Sequence, residues 1–199
     1  MASPAARHLT EAHRRSQARL AARTVQLMLA AWPLLDVDDL DESVRRWLQV
    51  VFPLVQVNRR TSARLAASYI ATFRAVELGL VEPFTPQLAA PVVPAALTTS
   101  MMVTGPALAL AAMRRGVPAG AAMDTAAAAS SRAAIRHVLD GGRATITATT
   151  TADDRARGWV RVTSAKACDF CSTLAGKSSG EDAFAAHDGC HCSAEPLYT

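Results

Sequence analysis

Lysine is almost missing from this chain: of its 21 basic residues only Lys166 and Lys177 are lysine, and the other 19 are arginine. With so much alanine, this reads as the codon bias of a GC-rich genome, so arginine abundance alone carries no chemistry. Aromatic residues make up only 5% of the sequence, which excludes a core of bulky rings and points to slim helices packed closely. One-sided charge is lacking too. The formal charge of +4 is too small an excess to establish a nucleic-acid partner. Long apolar runs are absent as well. Val25–Leu35 is interrupted by Gln26 and Pro33, and Met101–Met113 by Thr104, Gly105 and Pro106. Both fall short of the roughly 18 to 20 apolar residues a spanning helix needs. Arg7, Glu11, Arg14, Arg15, Arg19 and Arg23 break any secretory signal core. The expectation is a soluble chain made in a reducing cytoplasm, with no membrane partner.

What is present is enough apolar residue for a core. Half of the 199 residues are hydrophobic and 19% are charged, which excludes a wholly disordered chain. At this length folding buries roughly 70% of the surface that the unfolded chain exposes. The basic excess lies upstream of Trp159, and the last part of the chain is mildly acidic. No internal repeat is visible.

The first two-thirds read as helical. A first helix is expected from about Ala5 to Trp32, with Leu20, Thr24, Leu27 and Ala31 on one face and Pro33 as its stop. The acidic run Asp36, Asp38, Asp39, Asp41 and Glu42 precedes a second helix starting near Leu40, where carboxylates cap free N–H groups and oppose the positive end of the dipole. A calcium loop is excluded, because its sixth position is Asp41 rather than Gly and its twelfth is Trp47 rather than Glu. A third helix is expected from Leu54 to about Leu80. Its core face is Leu65, Tyr69, Phe73, Val76 and Leu80, with Arg59, Arg60 and Arg74 for exposed faces. The prolines of residues 82–94 mark a connector. Helix resumes near Ala95, breaks at Gly105–Pro106 and ends at Arg115–Gly116. A last helix is expected from Ala119 to Leu139, with small residues from Ala126 to Ser131 for close approach and Gly141–Gly142 as its stop. Thr-rich Ala144–Thr151 and alternating Trp159–Val162 suit short strands. The fold class expected is therefore mainly α: a helical body over residues 1–142, then a small α+β tail over 143–199 organised around cysteines.

All four cysteines fall in that tail: Cys168, Cys171, Cys190 and Cys192, a C-x2-C followed by a C-x-C, with His187 and His191 beside the second pair. Two thiolates two residues apart grip one ion from a tight turn. Two separated by one residue in extended chain point to the same side, so His191 should point away while His187 can swing in. Zinc takes four N or S ligands in a tetrahedron. Cys168, Cys171, His187, Cys190 and Cys192 are five candidates. Either the four thiolates bind or His187 displaces one; spacing does not choose. Disulfides are the alternative, disfavoured by a reducing compartment and by crowding of every Cys into one weakly apolar segment. The stretch from Lys166 to Tyr198 has few large apolar residues, namely Phe170, Leu174, Phe184, Leu197 and Tyr198. A structural zinc, contributing on the order of 10 kcal/mol, would replace a core there.

Enzyme signals fail on inspection. Gly176–Gly180 fits the letters of a hydrolase elbow but lacks the strand before it. The residue five before Gly176, which a phosphate loop needs as Gly, is Cys171. A zinc deaminase needs H-x-E ahead of P-C-x-x-C, and here His187 follows the C-x-x-C. His8, His13 and His137 lie on helical stretches and read as surface residues rather than ligands. No catalytic role is expected.

The tail resembles a known family. Trp159–Thr163, Ala167-Cys168-Asp169-Phe170-Cys171, Leu174-Ala175 and His187-Asp188-Gly189-Cys190-His191-Cys192 with Glu195-Pro196 are similar to the MuF-like minor capsid, or head morphogenesis, proteins of tailed bacteriophages, in the form found in phages of actinobacteria. Val103–Pro106 and Gly141–Arg143 extend the likeness upstream. Asp188 stands where the wider family carries Pro, and His191 where it carries Arg. The resemblance implies a low-copy structural protein of the virion head near the portal, made in the host cytoplasm. It would assist assembly, packaging or ejection, with the metal-ligand role on the five Cys and His residues named above. Its partners would be portal or capsid proteins, and exposed Arg on the first and third helices offers contacts to packaged DNA. A protease or toxin domain found in some members does not carry over to a chain ending at Thr199. The alternative class is a cytoplasmic zinc-knuckle regulator binding nucleic acid, which the acidic tail disfavours.

Overall fold

In the computed structural model the described residues are 2–163, 167–179 and 183–198. Lys166 of the polar tail, Gly180 of the rejected elbow and Thr199 lie outside them. Helix α1 spans Pro4–Ala31, with Pro4 in its first turn and the Ser3 hydroxyl accepting from the Ala6 N–H. A short 3-10 turn, Trp32–Leu34, carries the chain around Pro33. Helix α2 spans Leu40–Leu78 and ends on Gly79 in the left-handed conformation. Helices α3 (Pro94–Thr104) and α4 (Pro106–Arg114) meet at Gly105, and α5 spans Ala119–Ala152. The tail holds strand β1 (Trp159–Val162), the short helix α6 (Asp169–Thr173), β2 (Ser178–Ser179) and β3 (Ser193–Pro196). Its sheet runs β2-β1-β3, both pairs antiparallel, with Trp159 opposite Pro196 and Val162 opposite Ser193. The mainly α class and the Cys-bearing α+β tail stand as expected.

Three of the expected elements need correction. The second and third helices are one: α2 passes through Pro53. Proline inside a helix removes a hydrogen bond and costs about 3 kcal/mol. Here Trp47, Val51 and Val55, fully buried on the same stripe, lock the helix on either side of it. Secondly, α5 does not stop at Gly141–Gly142, and neither glycine takes a positive φ. They are close-approach residues. A Cβ on Gly142 would sit 2.8 Å from Gln17 Nε2 and from Ser62 Oγ, and one on Gly141 would collide with the Arg59 backbone carbonyl. The expected division at residue 142 therefore falls inside a continuous helix. Around the crossing the polar groups satisfy one another. The Ser62 hydroxyl donates to Gln17 Oε1 (2.8 Å), Gln17 Nε2 donates to the Ser62 carbonyl (3.1 Å), and the Gly142 N–H donates to Ser62 Oγ (3.0 Å).

Thirdly, Ala144–Thr151 is helix rather than strand, because its threonines have other work. Thr149 Oγ1 accepts from the Gln87 N–H (2.9 Å) and Thr145 Oγ1 from the Ala89 N–H (3.0 Å). Four helical residues rise about 6 Å, nearly the rise of two extended residues, about 6.6 Å. The proline-rich connector thus lies along α5 with alternate N–H groups meeting successive turns. Arg74, expected on an exposed face, is buried and pairs with Asp153 (2.8 Å) and Glu82 (3.0 Å) under the Phe84 ring. Leu27 and Val76, expected in the core, are exposed. Asp39 caps α2 without a side-chain hydrogen bond, so of the acidic run only Asp41 and Glu42 act, through charge in the first turn.

The main core gathers Leu20 and Met28 of α1, Trp47 and Val51 of α2, Leu97 and Met101 of α3, and Val138 of α5. Pro94–Arg114 spans 21 residues and its best window has a mean hydropathy of 1.4, so by length and composition it is long and apolar enough to cross a membrane, contrary to the shorter run read from sequence. It is broken at Gly105, and Leu97, Met101 and Ala109 enter the core. The bend packs on Ser130, where a Cβ on Gly105 would come within 2.8 Å of the hydroxyl, so the small-residue stretch does admit a neighbouring backbone. A second cluster joins body to tail: Ala6, Tyr69, Ile70 and Phe73 with Ile146, Trp159, Ala194 and Tyr198.

His8 is exposed as expected, but His13 and His137 are each only 6% exposed. Burial holds His13, stacked on Tyr69, at about 4 instead of 6.5, and burial followed by the Arg136 charge does the same to His137. Between pH 6.5 and about 4 the unfolded chain binds protons at these positions that the folded chain refuses. Stability present at pH 7 is therefore lost as pH falls through that window, by up to roughly 3 kcal/mol per histidine at about 1.4 kcal/mol per pH unit. Urea midpoints measured from pH 7 to 4.5 should fall, and His13→Gln should flatten that dependence.

Candidate metal centre

Cys168 caps the N-terminus of α6, its carbonyl accepting from the Ser172 N–H (2.9 Å), and Cys171 follows one turn later within the helix. A turn from His187 to Cys190, closed by the Cys190 N–H on the His187 carbonyl (3.0 Å), needs the positive φ of Gly189 (77°). The chain then extends through Cys192 into β3. Cys190 and Cys192 are buried and His191 between them is exposed, as the alternation of extended chain requires.

These turns bring all five candidates together. His187 Nε2 lies 3.1 Å from Cys168 Sγ and 3.3 Å from Cys171 Sγ, and Cys171 Sγ lies 3.7 Å from Cys190 Sγ. Two triads result, Cys168-Cys171-His187 and Cys171-Cys190-Cys192, each with ligand atoms within 4.8 Å of one another and sharing Cys171. All four cysteines are free thiols in this arrangement. The edge of a tetrahedron with metal–sulfur bonds of about 2.3 Å is about 3.8 Å, close to the Cys171–Cys190 separation. His187 Nδ1 donates to the Asp188 carbonyl (2.9 Å), which leaves the Nε2 lone pair facing the thiols. The donor set fits a thiophilic divalent ion, and these groups could hold one.

Electrostatics point the same way. Cys190 is pulled down, to about 4, by its hydrogen bond with Cys192 and by the Arg143 charge, which favours its thiolate form. Burial pushes Cys171 up, and the hydrogen bond with the Cys190 sulfur pushes Cys192 up. Cys168 is lowered by the Cys171 N–H, and His187 is raised by the Asp188 carbonyl. One negative sulfur forces its neighbours to keep their protons. A divalent cation lifts that constraint by neutralising the crowded thiolates.

The residue that anchors this loop is Arg143, which spacing arguments pass over. Buried on α5, it donates through Nε to the Cys192 carbonyl (3.0 Å), through Nη2 to the Cys190 carbonyl (2.6 Å) and through Nη1 to Asp140 (2.8 Å). Its guanidinium (5.0 Å) and that of Arg161 (3.8 Å) both lie over the Phe184 ring, which also stacks on Trp159. Arg136 pairs with Asp188 (2.6 Å), and the Gly189 N–H donates to the Arg132 carbonyl (3.2 Å). Three arginines of α5 thus hold the His187–Cys192 segment, two by side chain and one by backbone. The only sequence signal is their i, i+4 and i+11 spacing on one helix, which a helix end at Leu139 would hide.

Fold and cluster together define a helical protein with a Cys/His centre docked on α5, its most buried helix. The chain belongs to the VG15 protein family, a viral and phage family, whose model matches residues 5–199, body and tail alike. No curated protein and no solved structure matches it.

Removing the Arg143 guanidinium strands two buried carbonyls and the Asp140 partner, a loss of about 3 to 5 kcal/mol. Arg143→Met should show that loss in chemical denaturation. Arg143→Lys should recover only part of it, because one ammonium cannot span both carbonyls as a planar fork does.

Proposed function

We propose that this protein is a MuF-like minor capsid protein of a phage head, a structural component without catalytic activity. It is stationed near the portal, where it assists head assembly, DNA packaging or ejection, and it reaches the virion from the host cytoplasm. The observation that carries the reading is that the C-x2-C and His-x2-C-x-C segments form two ligand triads sharing Cys171 in a chain belonging to a phage family. In this reading the ion is zinc and its role is structural, because protein ligands surround it and leave no position for a reacting water. The body supplies the contact surface to portal or capsid proteins. Arg15, Arg19 and Arg23, exposed at successive turns of α1 and free of ion pairs among the described residues, supply phosphate contacts to packaged DNA.

Three measurements test this. Elemental analysis of protein purified under reducing conditions should give one zinc per chain, lost on Cys171→Ser. Chelation should loosen the Ala167–Cys192 segment in amide exchange while α1, α2 and α5 stay protected. Mass spectrometry of purified phage heads should find the polypeptide at low copy number relative to the major capsid protein. Heads that lack it would sink the structural reading.

A further inference from the structure

A cavity of about 340 Å³ opens where α1, α5 and the C-x-C segment meet. Exposed Ala18 lines it from α1, Leu139 and Arg143 from α5, and His13, Arg14, Gln17, His191 and Ser193 add polar groups to its wall. The wall is mainly apolar, and the charged residues among the described lining are cationic. The carboxylates that face these cations lie outside the wall: Glu11 pairs with Arg14 (2.5 Å) and Asp140 with Arg143 (2.8 Å). A guanidinium has five N–H donors. Arg14 spends one on Glu11 and one on the Thr163 carbonyl, and Arg143 spends three, so both keep donors in reserve. His13 is 6% exposed, stacks on Tyr69 at 4.4 Å, and its ring makes no hydrogen bond among the described residues. The ring borders this cavity and also a groove lined by Leu9, Leu65 and Tyr69, and a neutral imidazole in the wall offers an occupant one donor and one acceptor.

We infer that this cavity is a binding site for a small organic anion with an apolar body, an aromatic or medium-chain carboxylate. Its volume lies at the lower end of ligand pockets, roughly 300–1,000 Å³. The apolar body lies against Leu139 and the stem of Arg143, and the carboxylate meets the spare N–H groups and the His13 ring. Phosphate alone fits poorly, since it would forfeit the apolar wall. An uncharged hydrocarbon would leave the cations and the imidazole unmet. Cys192 also lines the cavity, so an occupant ties α1 directly to the Cys-bearing loop. The site does not depend on the virion role proposed above.

The probe is 1-anilinonaphthalene-8-sulfonate, titrated by fluorescence into the full chain, with octanoate and 1-octanol as competitors. One saturable site per chain is expected, displaced by octanoate and at least tenfold less effectively by octanol. Octanoate should also raise the melting temperature. Ala18→Trp adds bulk to the wall and Arg14→Gln removes a donor. Each should weaken probe binding at least tenfold with unchanged helical circular dichroism, whereas Val103→Ser, on the exposed face of α3, should leave it unchanged. Equal displacement by octanol and octanoate would overturn the assignment. So would parental affinity in both Ala18→Trp and Arg14→Gln, or loss of binding in Val103→Ser, which would place the probe on the apolar surface of α3.

Discussion

The buried guanidinium of Arg143 is where the helical body and the cysteine tail become one object. Its contacts to the Cys190 and Cys192 carbonyls fix the path of the C-x-C segment before any ion is considered. With those carbonyls committed to α5, the thiols of Cys190 and Cys192 meet Cys171. A buried arginine is costly unless every group around it is paired, and Asp140 on the preceding turn supplies the charge balance. That arrangement requires helix at residues 140–143. The continuity of α5 through its two glycines is thus a condition of the site and not an incidental feature of the body.

Much of the body could be read from residue pattern. Pro33, Gly79, the proline-rich connector, the Gly105–Pro106 break and the start at Ala119 all stand where proline and glycine punctuation put them. The failures share one cause: each of those residues was judged by its local preference, and tertiary contact overruled it. Pro53 is held in helix by the core around it. Gly141 and Gly142 stay helical because Arg59, Gln17 and Ser62 leave no room for a side chain. The threonines of 145–149 trade strand preference for hydrogen bonds to a connector that sequence shows only as loop. Arg74 could not be told from its exposed neighbours, because its partners Asp153 and Glu82 lie on other elements.

The centre was more legible than the fold around it, for a chemical reason. Metal-binding patterns are short and depend on alternation and turn geometry, which spacing encodes directly, so the inward pair Cys190 and Cys192 and the outward His191 follow from extended chain alone. What spacing omits is the support. Arg132, Arg136 and Arg143 belong to a helix more than forty residues upstream, and no local pattern marks an arginine that will serve a carbonyl. Arginine abundance from genome composition hides the few that are structurally committed among the many that are solvated.

The tail is also less dependent on cysteine than its composition suggests. It is poor in large apolar residues of its own, but it borrows a core from the body. Trp159, Ala194 and Tyr198 are buried against Tyr69, Ile70, Phe73 and Ile146, and the Thr10 hydroxyl joins Tyr69 to Glu195 beside them. Burying a large apolar side chain is worth about 1.5 to 3 kcal/mol, so β1 and β3 have a hold on the body that no ion provides. The part with least such burial is the excursion from Ala167 to Cys192, where among the described residues Phe170 is 49% exposed, Phe184 is half-buried against Trp159 and the fully buried apolar groups are the thiols. An ion at the thiols would therefore act on that loop alone, holding its shape on a sheet already fixed in place.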